Sequence, residues 1–551
     1  MNAVTETHAI GIPAQGVLEA MAQVVGASNL VVEQAALAGY AASTAARPVW
    51  PLAVARPGST QEVAALARLA TVHGVALYPV STGRNWGYGD ACPVGGGQVL
   101  LDLSRMNRIV KVDTELAYAV IEPGVTQQQL SDYLREQQTG LWCDCTGAGP
   151  DTSFVGNILE RGFGHSPYGN RLQHVAGMRV VLASGEILDT GFGHYPQART
   201  THLFPYGVGP FLDGLFTQSN FGIVTRLGIW LMPQARCINH FLCSVPRHAD
   251  VALLVDALRP LRLDGTLRSI VHIGNDLRVI SGGRTFPHAL AGLASSLPDE
   301  VRAKLRGEAG VGAWTASGAL YGSLEQVAAA RKALRRALAP LGAKPVFITP
   351  GALNTARMLS RLLGFSRAGQ VLRAKVALGE SLLAMNRGEP NGRFLTGAYW
   401  RRRGGVPQDF PHGANPARDN CGMLWVSPVL PMRGADMLAV HALAEAVFRQ
   451  YGFDLFATFS MINERALGGV LTVAYDKEDP DEVERAHACY QEVFTRCMNA
   501  GYIPYRVGNH SMGELDPEGD VYWKTVARIK AALDPMGTIA PGRYEPTPVC
   551  R

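Results

Sequence analysis

Apolar positions recur along this chain in two rhythms. Val63, Leu66, Leu69 and Ala70 fall on one face at helical spacing. Ser59 stands ahead of them with Glu62 three residues on, the spacing of a capping box, and so predicts where that helix starts. Helices are also predicted over 13–44 and 127–138, and long amphipathic ones over 250–260, 324–340, 433–450, 480–499 and 520–533. Short apolar runs at 53–55, 75–80, 99–103, 117–121, 179–183 and 228–233 read as strands. Ser184-Gly185-Glu186 reads as a hairpin turn into Ile187-Leu188. Strands alternating with helices indicate an α+β or α/β domain. The pattern changes near Gln234, where long helices begin to separate the strands, and a second domain is expected beyond it.

Two stretches break the rhythm with small residues. The strand at 75–80 runs into Ser81, Thr82, Gly83, Arg84 and Asn85, followed by Gly87 and Gly89 around Tyr88. Small residues let backbone approach a ligand, and successive free N–H groups form a nest for an anion such as a diphosphate. Read alone, the segment is equally a tight structural turn, and Arg84 either holds phosphate or braces the loop. The second stretch spans 146–157 and leads into RGFGHSPYGN at 161–170. So much glycine is entropically costly unless backbone must lie against something. Two such loops in one domain point to a large ligand with phosphates.

Composition narrows the class. The 551 residues exceed one ordinary core, and 47% hydrophobic with 18% charged residues fits a packed globular protein. A net charge of +5 with no basic stripe among aromatics argues against a nucleic-acid partner. The run Arg401-Arg402-Arg403 reads as solvated loop for at least two of its members. Nine cysteines show no paired framework, and Cys143-Asp144-Cys145 lacks the second ligand pair of a zinc site, so free thiols and no metal are expected. With no secretory signal and no apolar run of about 18 residues, a soluble cytoplasmic protein without a membrane span is expected.

Taken together, GRNWGYG at 83–89, RGFGHSPYGN at 161–170, the long segment 202–233, WVSP at 425–428, Tyr505-Arg506 and DPMGTIAPGR at 534–543 resemble the vanillyl-alcohol oxidase and 4-cresol dehydrogenase family of flavoproteins. The resemblance runs over nearly the whole chain. It implies an α+β protein: a two-part FAD-binding domain from residues 1–234 and 501–551, with a central α+β cap domain over 235–500. The cofactor implied is FAD. Its diphosphate would lie on the backbone at Pro79, Val80, Ser81, Thr82, Gly83, Arg84 and Asn85. Gly147, Gly149, Ser153, Gly156 and Asn157 would run along the rest of it. Gly222, Ile223, Val224 and Arg543 complete the implied set, and Arg401 is assigned a place near flavin N1.

The resemblance also implies the chemistry. In this family two tyrosines and an arginine hold a phenol as its phenolate, and the matching positions are Tyr88, Tyr505 and Arg506. A hydride then leaves the benzylic carbon for the flavin and a p-quinone methide remains. Two positions depart from the family. Asn170 stands where a carboxylate usually follows PYG, and an amide is no base. Asp151, His165 and Glu464 are candidate substitutes. Met423 stands where many relatives carry a flavin-linking histidine, with Cys421 two residues away, and FAD bound without a covalent bond is expected. The reading is therefore an FAD-dependent oxidoreductase acting on a para-substituted phenol, with oxygen or a redox protein as acceptor and a homodimer as the expected assembly. An FAD oxidase of the same fold acting on a non-phenolic alcohol, and a silent flavin-binding scaffold, stay open.

Overall fold

A computed structural model describes residues 12–292, 295–515 and 520–545. Its first sheet orders the strands Leu30–Val31, Ala53–Ala55, Val99–Asp102 and Leu77–Val80, the last three parallel. The helix Thr60–His73 crosses over from Ala53–Ala55 to Leu77–Val80, which lie on either side of Val99–Asp102, and buries Val63, Leu66 and Ala70. Ser59 caps this helix by accepting from the Glu62 N–H, as its spacing predicts. Glu62 reaches back one residue further than a capping box requires, to the N–H of Gly58 at 2.9 Å. The segment 13–44 is not one helix. Ile12–Val25 ends at Gly26, whose φ of +83° no helix accepts, and Leu30–Val31 pairs with the next strand before Gln34–Ala41 resumes.

A second, antiparallel sheet of five strands runs Ile109–Asp113, Tyr118–Ile121, Ile223–Trp230, Val175–Val181 and Ile187–Asp189. The hairpin around Ser184-Gly185-Glu186 joins its last two strands, with Val181 opposite Ile187. The largest sheet, of eight strands, is built wholly from residues 237–476 and is antiparallel throughout. Helices Asp250–Leu263, Leu324–Leu338, Gly434–Tyr451 and Pro480–Asn499 cover one face of it. Leu254, Leu334, Val440 and Val493 from those helices join Phe241, Ile273, Phe459 and Leu471 from the strands in one buried core.

The C-terminal segment returns to the first sheet. The Leu77 N–H donates to the Thr538 carbonyl and the Ala540 N–H to the Leu77 carbonyl, both at 2.7 Å, so Ile539 lies parallel beside the strand that leads into the glycine-rich turn. The eight described cysteines are free thiols, and Cys550 lies outside the described residues. Among the described residues no helix is long and apolar enough to cross a membrane.

Candidate flavin groove and phenol-binding end

The strand Leu77–Val80 ends at a turn whose backbone is built for an anion. Among the described residues, the N–H groups of Thr82, Gly83, Arg84 and Asn85 find no protein acceptor. Gly83 has a φ of +66°, and a Cβ there would lie 2.9 Å from Ala91 Cβ, so only glycine fits. Val80, Thr82, Gly83 and Arg84 line a cavity of about 320 Å³ together with Thr126, Asp151 and Arg418. The second small-residue loop closes on the first. Ser153 donates its N–H to Thr82 Oγ1 at 3.1 Å, and a Cβ at Gly156 would sit 3.0 Å from Ser81 Oγ. Ser153 also caps the helix Phe154–Leu159. Orphaned donors, a cradle that only glycine can line, and a cavity between two loops fit the diphosphate of FAD.

The other expected contacts have mixed fates. Gly147 and Gly149 pack against Phe394 and Leu395. Asn157 accepts from Arg171 at 3.1 Å. Gly222, Ile223 and Val224 lie at the start of a central strand, against Val180 and Val181. Pro79 is in the parallel ladder opposite Leu101. Arg543 donates to the Tyr78 hydroxyl at 2.8 Å and ion-pairs with Glu160. Arg401 is instead occupied by Glu482, 2.7 Å away in a buried pair, and lies over the Phe286 ring. The basic run is not a solvated loop either: Arg402 donates to two backbone carbonyls, and only Arg403 is exposed, paired with Asp476.

Tyr88, Tyr505 and Arg506, distant in sequence, meet in space. The Arg506 guanidinium lies 4.1 Å from the centre of the Tyr88 ring. It donates to Asn85 Oδ1 and sits 3.3 Å from Glu160 Oε2. Tyr88 is 2% exposed, with its hydroxyl against Ser427 Oγ and its ring edge-on to Trp425 at 5.3 Å. Gly87 allows this approach, because a Cβ there would lie 2.7 Å from the Trp425 ring. Tyr505 is positioned through its backbone: its N–H donates to Ser427 O, and its carbonyl accepts from Gln218 at 2.9 Å. Burial, then the nearby Tyr88, pushes the Tyr505 hydroxyl well above its ordinary pKa, although Arg506 pulls it down. It therefore stays protonated and remains a donor at neutral pH.

Asn170 stands opposite Phe163 in an isolated bridge, and the Phe163 ring lies 5.9 Å from Tyr505. Of the candidate bases only His165 is close to this end. Its ring lies 4.4 Å from His272, which stacks on Phe163. Burial pulls the His165 pKa down to about 4, with Asp144 opposing and Arg171 and Arg278 adding to the shift, so the imidazole is neutral at pH 7. Asp151 pairs with Arg84 at the cavity, and Glu464 is exposed beside Arg262. Asp144 and the neighbour of Asn170, Arg171, form a fully buried pair at 2.8 Å that ties together the two ends of the second glycine-rich stretch. Met423 is buried beside Trp86, Leu395 and Tyr399. The Cys421 thiol is pushed far up, by burial and then by Asp419, and stays protonated. Glu160 and Ser427 are the site residues that sequence reasoning does not single out. Ser427 lies inside the WVSP segment, while nothing local marks Glu160 as the carboxylate shared by two arginines.

A family model for the FAD binding domain matches residues 51–191. The chain is 39% identical to 1'-carboxy-chondrochloren decarboxylase of Chondromyces crocatus, over 97% of each. It is 33% identical to the 4-cresol dehydrogenase [hydroxylating] flavoprotein subunit of Pseudomonas putida, over 90% of this chain and 87% of that one. The structure of 4-ethylphenol oxidase from Gulosibacter chungangensis, in complex with isoeugenol, superposes with a TM-score of 0.86 at 27% identity, covering 98% of this chain and 99% of that one.

Proposed function

We propose, since this chain belongs to the vanillyl-alcohol oxidase and 4-cresol dehydrogenase family of FAD-linked oxidoreductases, that it takes a hydride from the benzylic carbon of a para-substituted phenol bound as its phenolate. The observation that carries this reading is the convergence of Tyr88, Tyr505 and Arg506. A free phenol titrates near pH 10, so ionising it at pH 7 requires about 4 kcal/mol of differential stabilisation. Hydrogen bonds to a charged group contribute about 1.5–3 kcal/mol each, so two hydroxyl donors and a guanidinium suffice. Glu160 and Asn85 fix the guanidinium, and the backbone of Ser427 and the side chain of Gln218 fix Tyr505. FAD in the groove, held without a covalent bond, supplies the two-electron acceptor for that hydride. The substrate is left as a p-quinone methide.

Asn170 favours one fate for that species. An amide takes no proton from water, so hydroxylation lacks its usual help. Suppose the side chain carries a carboxylate on the carbon next to the benzylic one. The C–COO⁻ bond then breaks, its electron pair forms the C=C bond, the ring returns to phenolate and CO2 leaves. This balances without water or base. It also agrees with the name of the Chondromyces crocatus relative.

Anaerobic mixing of the yellow protein with 4-alkylphenols tests the main reading. The flavin band is expected to bleach, and Tyr505→Phe or Arg506→Ala to slow bleaching by roughly tenfold to a hundredfold, the loss of one charge-assisted hydrogen bond. A flavin that stays oxidised with every phenol, yet is reduced by dithionite, refutes phenol oxidation.

A further inference from the structure

Arg278 is a cation with no counter-ion. It sits on the helix Asp276–Ser281, where its N–H caps onto Asn275, but its guanidinium donates no hydrogen bond and joins no ion pair among the described residues. Asp276, on the same helix, pairs with Arg302 at 2.6 Å, and Asp144, which acts on His165, pairs with Arg171 at 2.8 Å. Burial alone pulls its pKa down, with no anion to offset it, while the residue keeps some accessible surface. His165, His272 and Tyr505 are likewise half-buried, each with its pKa shifted first by burial.

These groups share one wall. Arg278 is close enough to His165 and His272 to depress both imidazoles further, after burial. Its Nη1 would be 3.0 Å from a Cβ at Gly397, on the turn that also carries Phe394. Phe394 in turn packs on His165 at 6.4 Å. From Tyr505 the wall runs through Phe163 to His272 and His165. One end of this wall is thus the tyrosine end that the reading above gives to the phenol oxygen, and the other presents a lone guanidinium.

A desolvated charge left unpaired is costly, and arginine stays protonated in proteins, so the pairing anion must come from a ligand. We infer that Arg278 holds a carboxylate on the para side chain of the substrate, selecting an acidic phenol over a neutral one. This rests on the phenol-oxidising reading of the same site. It gives the carboxylate a place without adding a base.

Stopped-flow reduction with 3-(4-hydroxyphenyl)propionate and 4-propylphenol separates the anchor from phenol oxidation itself, because half-saturation and limiting rate are read independently. In the wild type the acid is expected to half-saturate at least about tenfold lower than the neutral phenol. Arg278→Met should raise half-saturation for the acid by about tenfold or more and leave 4-propylphenol within about threefold, and Arg278→Lys should recover part of the loss. Equal half-saturation for both phenols in the wild type overturns the anchor while phenol oxidation stands. So does an Arg278→Met that harms both phenols alike or sheds flavin, which would make Arg278 a brace or a cofactor contact. Reduction by neither phenol removes the phenol reading and the anchor with it.

Discussion

A phenolate needs donors that stay protonated when it does not. Burial supplies one by raising the Tyr505 pKa, and Arg506 supplies a permanent charge. Asn170 marks what the site lacks. It stands opposite Phe163 near the tyrosine end, and its amide lacks the chemistry of a base. Asn170→Asp is therefore expected to raise the share of hydroxylated product severalfold from a 4-alkylphenol, read by chromatography after one anaerobic turnover and quenching. An unchanged product ratio would mean that residue 170 does not govern water addition. The trio is legible in the sequence because each member lies in a segment of distinctive spelling. Glu160 is not, since only folding brings it between Arg506 and Arg543. The three adjacent arginines look alike in sequence, whereas each has a different partner in the fold.

At the scale of elements, the helix Val521–Leu533 acts through the turn at its C-terminal end. Lys530, in its last turn, donates to Asp534 at 2.6 Å and to the carbonyls of Asn220 and Ile539. Asp534 accepts in turn from the N–H groups of Thr538 and Ile539. This staple fixes the segment that lies beside Leu77, and so steadies the strand entering the first glycine-rich turn. Burial raises the Asp534 pKa, but Lys530 and the two N–H donors outweigh it and hold the carboxyl below its ordinary range. A depressed folded pKa means that the stabilisation is present above the unfolded value near pH 4 and is lost as pH falls through the folded one. Asp534→Asn leaves Lys530 buried beside a neutral partner and should cost about 3 kcal/mol at pH 7. The melting temperatures of the two proteins should draw together as pH falls below about 4; coincident temperatures at pH 7 would show that the pair contributes little. Periodicity predicts the helix but not its staple, because Asp534 and Lys530 gain meaning only from Asn220, far away in sequence. The break at Gly26 escapes the sequence for a similar reason: alanine-rich flanks read as helix, and the two-residue strand Leu30–Val31 exists only through its pairing with Val54 and Ala55.

Across the whole molecule, one short segment buckles the first glycine-rich turn to the large sheet. The Ser43 hydroxyl, the Thr44 N–H and the Thr44 hydroxyl all donate to Asp90 Oδ2, at the end of the glycine-rich turn. Thr44 O accepts from the Tyr475 hydroxyl and the Met423 N–H, and Lys477 donates to Ser43 O. Asp90 is buried, and its second oxygen has no partner among the described residues. Burial raises its pKa to about 6 against the three donors and Lys477, which lower it. Here the sign is opposite to that of Asp534. The folded protein holds the Asp90 proton more tightly than the unfolded chain, whose aspartates titrate near pH 4. Asp90 is therefore no burden below about pH 4, and its ionised form weighs against folding increasingly up to about pH 6, by as much as about 3 kcal/mol for two pKa units. Asp90→Asn cannot ionise. Wild-type stability measured against that variant should fall between about pH 4 and pH 6 and level off above, with urea midpoints as the readout. A difference that stays flat across the window would mean that Asp90 is ionised throughout and that the three donors, rather than burial, set its charge. The variant also tests the buckle itself: all three donors meet one carboxylate oxygen, which the neutral amide oxygen replaces without its charge, so flavin retention in Asp90→Asn reports how far the turn depends on that charge.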